Sequence, residues 1–197
     1  MARSIGVTFD YRCPFAYNGN LATINFIQAG GASDFDFRFV PFSLDQVHVA
    51  EGEPPVWDRE PEEWGTGVLS LLYGIAVRDT FPDQFFDAHV ALFAARHEHG
   101  KQLKDEDVLR EAVASAGLDP DAVADEAKSG RPLKTLAAEH TECVEQYGVF
   151  GVPTFMEGEQ AAFVRFMDRG NVEDLEKMLG FLQWSDLNEF KRPRIPR

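Results

Sequence analysis

The chain has 197 residues, 44% of them apolar and 26% charged, which is enough for one substantial core and lies outside disordered or fibrous compositions. Its formal charge of −14 argues against nucleic acid and against an anionic membrane, because both polyanions require a basic footprint. Two cysteines do not make a disulfide framework, and no charged n-region with a long apolar run opens the chain, so a cytoplasmic protein with free thiols is expected.

Ile5 to Phe9 is short, β-branched and aromatic, and reads as a buried strand. After Cys13-Pro14 the period changes. Tyr17, Leu21, Ile24 and Ile27 recur at helical spacing until Gly30-Gly31 stops the run, and Pro14 suits a first helical turn because its missing N–H would have no partner there. Phe35 to Val40 reads as a second strand ended by Pro41. The opening is therefore a βαβ unit with parallel strands, whose ends lie on one edge of the sheet.

From about Asp45 to Gly148 the pattern is helical only. An acidic loop from Glu51 to Glu63 precedes two apolar stripes, one through Val68, Leu71, Leu72, Ile75 and Ala76, the other through Phe85, Phe86, His89, Val90 and Phe93. Asp105 is placed to cap a helix ending at Gly117, Asp119-Pro120 starts another, and Pro132 opens a third that Gly148 ends. Strand character returns at Thr154-Phe155-Met156. A turn at Glu157-Gly158-Glu159 leads to an antiparallel partner expected over Ala161 to Met167. Asn171 caps a final helix that buries Leu175, Met178, Leu179 and Leu182, and Asn188 to Arg197 reads as a loose arm.

Cys13 stands where a strand gives way to a helix, so its sulfur faces unpaired N–H groups and the positive end of the helix dipole. Both favour thiolate, the species that attacks disulfides. The companion segment is Gly148-Val149-Phe150-Gly151-Val152-Pro153-Thr154-Phe155, whose proline at a strand start suits an edge open to an extended substrate. The parallel strands carry Phe42, Ser43 and His48 to the same edge, which makes His48 a candidate acid or base for a leaving thiol. Cys143 shares the apolar face of Leu136, His140 and Tyr147 and reads as packing. His89, His97 and His99 supply too few ligands for a metal, and none is expected. Gly65-Thr66-Gly67 lacks the following Gly-Lys-Ser/Thr of a phosphate loop. Phe81, Phe85, Phe86 and Phe93 read as core of the helical block.

Cys13-Pro14-Phe15-Ala16 after a first strand, the helical stretch from Ala91 through Asp119, and Gly151-Val152-Pro153-Thr154-Phe155 before a hairpin together resemble the DsbA-like branch of the thioredoxin superfamily. That group includes 2-hydroxychromene-2-carboxylate isomerases, kappa-class glutathione transferases and FrnE-type oxidoreductases. The resemblance implies an α/β, thioredoxin-like fold with a large all-helical insertion between strand 2 and a cis-Pro hairpin. Residues 1–44 and 131–187 would form the thioredoxin-like domain, 45–130 the insertion and 188–197 a tail. It implies Cys13 as the catalytic thiol, Pro14, Phe15 and Ala16 as the active-site loop, and Val152, Pro153 and Thr154 as the substrate- or thiol-binding segment. Redox relatives carry a second cysteine where Ala16 stands, so a single-cysteine oxidoreductase is expected, with glutathione or mycothiol as co-substrate and no tightly bound cofactor. Non-redox relatives carry serine where Cys13 stands, and a thiol-dependent isomerase or transferase, or a non-catalytic binding protein, are the alternatives. The expected partner is a small thiol or mixed disulfide, and a homodimer is compatible with the fold.

Overall fold

β1 (Arg3–Phe9) and β2 (Phe35–Pro41) run parallel, in register from Arg3 opposite Phe35 to Phe9 opposite Pro41. The helix between them, α1 (Pro14–Gln28), is the crossover that parallel pairing requires. Its N-cap is Cys13, its first residue is Pro14, and Gly30 follows its last turn at φ 82°, a left-handed conformation that costs glycine little. This computed structural model describes residues 2–184 and 186, so the expected arm beyond Asn188 lies outside the described residues.

The sheet is completed by β3 (Thr154–Glu157), antiparallel to β1, and β4 (Gln160–Phe163), giving the order β2-β1-β3-β4. Glu157 pairs with Gln160 across a tight turn whose first residue, Gly158, has φ 58°. β4 is shorter than its apolar pattern suggests. Val164 still donates to the Pro153 carbonyl at 3.1 Å, but the chain then leaves the sheet, and the Phe166 carbonyl accepts the Asn18 amide of α1 at 2.8 Å. The apolar residues beyond Phe163 therefore cover a helix, not a neighbouring strand. Pro153 likewise precedes an interior strand, because β3 is paired on both sides; the open edge expected there is absent among the described residues.

Adjacent residues of β3 face opposite layers. The Met156 sulfur lies 4.0 Å from that of Cys143 on α7 (Arg131–Tyr147), while the Phe155 ring packs on Phe166, which in turn closes on Gly19 of α1. α8 (Val172–Leu182), capped by the Asn171 side chain, packs beside α1 through Leu175, Met178, Leu179 and Leu182. Between β2 and α7 the chain is helical as expected: α2 (Leu44–Val47), α3 (Val68–Thr80), α4 (Phe85–His97), α5 (Glu106–Ser115) and α6 (Pro120–Ala127).

A polar and aromatic joint locks this block to the sheet. Tyr11, in the turn between β1 and α1, shares a hydrogen bond of 2.8 Å with His89 Nδ1, and His89 Nε2 lies 3.2 Å from the Asn20 side-chain oxygen. Both rings are buried, and His89 is held neutral near pKa 3 by burial and by the charge of Arg78. Gly74 of α3 admits the Tyr11 ring, since a Cβ there would overlap its hydroxyl oxygen.

Candidate functional site

The turn that delivers Cys13 is tied down by a buried carboxylate. Asp10 accepts the Arg12 N–H at 2.9 Å and the Leu44 N–H at 2.8 Å, while its own carbonyl accepts the Cys13 N–H at 3.0 Å. Burial pushes the Asp10 carboxyl up, and the Arg12 charge opposes this. Arg12 reaches across to Asp45 at 2.6 Å, and Asp45 also accepts the Gly67 N–H at 2.9 Å. Gly65 and Gly67 belong to this joint, because a Cβ on either would run into Asp45 or Arg12. The Gly65-Thr66-Gly67 segment thus serves close packing around one ion pair. Asp10 and Arg12 escaped the sequence reading, although a charge pair at the end of an apolar strand is a signal of burial with a partner.

Cys13 is half-buried at the mouth of α1. Its sulfur accepts the Ala16 N–H at 3.4 Å and donates to the Val152 carbonyl at 3.3 Å, and the Val152–Pro153 peptide is cis. The two segments singled out in the sequence therefore meet atom to atom, although Cys13 and Val152 are 139 positions apart in the chain. The expected thiolate is not what this setting favours. Burial raises the Cys13 thiol above its ordinary value; the Ala16 and Phe15 amides pull it down, and the Asp10 charge adds to the rise. The Val152 carbonyl reinforces the outcome, because it bonds to S–H and repels a sulfur anion.

The remaining loop residues surround the sulfur without competing for its chemistry. Pro14 is exposed, the Arg165 guanidinium lies 5.4 Å from the centre of the Phe15 ring, and Ala16 is fully buried. Thr154 donates from its hydroxyl to the Gly151 carbonyl at 2.7 Å and from its N–H to the Thr8 hydroxyl at 2.7 Å, which fixes the loop entering β3. Phe150, in the same loop, is 67% exposed and rests on Phe163.

His48 is not brought to Cys13. It ends α2 with its Nδ1 on the Leu44 carbonyl at 2.6 Å, and it lines a cavity of about 310 Å³ with Asp45, Glu53, Arg59 and Glu63, a cavity that neither Cys13 nor Val152 borders. The turn of α2 redirects the chain before position 48. Cys143 packs as expected, 1% exposed, with its thiol pushed up to about 12 by burial. Both cysteines are free. His140 is also buried, its Nδ1 accepting the Ser43 N–H at 3.2 Å, and burial lowers it to about 4.

The family model of the DSBA-like thioredoxin domain matches residues 71–180, more than half of the 197. The chain belongs to the DSBA-like thioredoxin domain family. Within this DSBA-like protein the match runs from within α3 to within α8, taking in most of the helical block and the Val152–Pro153 loop but not Cys13. Among solved structures, it is similar to the oxidoreductase DsbA of Xylella fastidiosa, at 20% identity over 92% of this chain and 84% of that one, TM-score 0.60. A 2-hydroxychromene-2-carboxylate isomerase matches at 19% identity over 94% and 100%, TM-score 0.65. A putative protein disulfide isomerase of Nitrosomonas europaea matches at 14% identity over 94% and 100%, TM-score 0.67. A search of curated protein sequences finds no match. At these identities the structural likeness establishes the fold, which both oxidoreductases and an isomerase share.

Proposed function

We propose that this DSBA-like protein carries out thiol–disulfide exchange through Cys13 alone, with a small thiol of the glutathione or mycothiol type as co-substrate. The observation that carries the reading is the placement of a half-exposed sulfur between the α1 amides and the Val152 carbonyl, with Ala16 where a resolving thiol would stand. Cys13, after losing its proton to solvent, attacks one sulfur of R–S–S–R′; a Cys13–S bond forms and R′S⁻ leaves. The thiolate of the co-substrate then attacks the substrate sulfur of this mixed disulfide, releasing Cys13 and a new disulfide, so two electrons are only passed between sulfurs. A thiol raised by burial attacks slowly at neutral pH, and it is equally a poor leaving group. Mixed disulfides at Cys13 are therefore long-lived. Turnover of 2-hydroxyethyl disulfide with glutathione tests the reading: Cys143→Ser retains it and Cys13→Ser abolishes it, whereas retention by Cys13→Ser refutes the role of Cys13.

The same raised thiol favours a second reading. A sulfur that stays protonated and donates resembles the serine hydroxyl of the non-redox branch, and such a donor suits a thiol-dependent isomerase or transferase that holds a bound ligand's sulfur as thiolate. In that case Cys13→Ser keeps activity, and added glutathione develops thiolate absorbance on binding.

A further inference from the structure

A cleft of about 470 Å³ opens on the turn that carries Cys13, lined by Arg12 and Pro14, which flank Cys13 in the chain, and by Arg96, His97 and Lys101; the cysteine itself is not part of its wall. α4 ends at His97, and the turn after it, with the Gly100 N–H on the Arg96 carbonyl at 3.1 Å and the Lys101 N–H on the Ala95 carbonyl at 2.9 Å, folds Lys101 back beside Arg96. The charge here opposes that of the molecule. The chain carries −14, yet no carboxylate lines this cleft. Arg12 is already engaged by Asp45, whereas Arg96 and Lys101 have no ion-pair partner among the described residues. The His97 Nε2 meets the Tyr11 carbonyl at 2.9 Å; burial lowers the ring's pKa, the carbonyl opposes this, and the charges of Arg96 and Arg169 add to the lowering.

Cations in the last turn of a helix also complement its dipole, which accounts for Arg96 on its own. It does not account for Lys101, beyond the helix, or for the convergence of both cations on the cleft that Arg12 and Pro14, the chain neighbours of Cys13, also line. We propose that this cleft receives a carboxylate of the small thiol whose sulfur exchanges at Cys13, with Arg96 and Lys101 holding it. The inference rests on the exchange reading and narrows it: a thiol bearing carboxylates, such as glutathione, fits the cleft, and an uncharged sugar thiol such as mycothiol leaves both cations unpaired.

S-methylglutathione is a suitable probe, because a thioether cannot exchange and its binding is independent of turnover. Calorimetric titration at fixed ionic strength compares it with its diethyl ester, on the wild-type chain and on Arg96→Gln/Lys101→Gln. The acid is expected to bind the wild type, and either esterification or the double substitution weakens it about tenfold or more, as for hydrogen bonds to a charged group. Equal affinity of acid and ester overturns the proposal. So does unchanged affinity in the double variant, which reduces the two cations to partners of the helix dipole if its melting temperature falls. Absence of binding by the acid also overturns it; if 2-mercaptoethanol disulfide still loads Cys13 in that case, exchange stands while the carboxylate site falls.

Discussion

At the scale of single residues, Cys13 and Ala16 decide the chemistry. Because burial raises the Cys13 thiol, alkylation by iodoacetamide is expected to accelerate with pH through the alkaline range, with its midpoint above that of a free cysteine; a plateau already reached at pH 7 contradicts this. Cys143, 1% exposed and raised to about 12, is expected to stay unmodified until the protein unfolds, which mass mapping of the labelled peptides checks. The substitution Ala16→Cys places a second thiol one helical turn from Cys13, where the Ala16 N–H already lies 3.4 Å from its sulfur. The variant is expected to form a disulfide between Cys13 and the introduced thiol and to gain dithiol oxidase activity, and a free-thiol titration that finds no loss of thiols on oxidation counts against it. Position was legible in the sequence here, since a strand-to-helix boundary with Pro14 fixes where the sulfur stands. Acidity was not. It is set first by burial, with the Asp10 charge adding to the rise and the Ala16 and Phe15 amides opposing it, and burial depends on how distant segments such as the Val152 loop close around the site.

At the scale of elements, local rules located what local rules control. Pro14 and Gly30 bound α1, Pro41 ends β2, Asp105, Asp119 and Asn171 cap their helices through their side chains, and Gly158 turns the hairpin. β4 and His48 were misplaced because their outcome is tertiary: Phe166 is claimed by Asn18 of α1, and α2 turns His48 into a different cavity. Arg96 and Lys101 lie more than 80 residues from Cys13, and only the docking of α4 on the Tyr11 turn brings them near. That docking needs Gly74. Gly74→Ala puts a methyl where the Tyr11 hydroxyl sits, and overpacking of this kind is expected to cost about 1–3 kcal/mol. Urea unfolding checks it; a midpoint unchanged from wild type shows that α3 yields freely and that the joint is loose.

At the scale of the whole molecule, two buried histidines couple stability to pH. His89 and His140 are lowered to about 3 and about 4, so each stays neutral in the folded chain while the unfolded chain takes up a proton below the ordinary value near 6.5. Their contribution is complete above pH 6.5 and is lost as pH falls towards 4, at about 1.4 kcal/mol per pH unit for each histidine while both remain neutral in the fold. Asp10, raised by burial, acts in the opposite sense, gaining stability once it is protonated at low pH. Unfolding free energy is therefore expected to decline between pH 6.5 and 4.5, before most carboxylates titrate, and His140→Gln is expected to flatten that decline; a flat profile over this window contradicts the buried neutral rings.

The Tyr11–His89 joint holds the helical block against a sheet that presents one sulfur to the Val152 carbonyl. Intact-mass measurement of the folded protein after incubation with oxidised glutathione tests this most directly. A single glutathione adduct is expected, mapped to Cys13, that a second small thiol removes. No adduct on the folded chain, or one found only on Cys143, would contradict it.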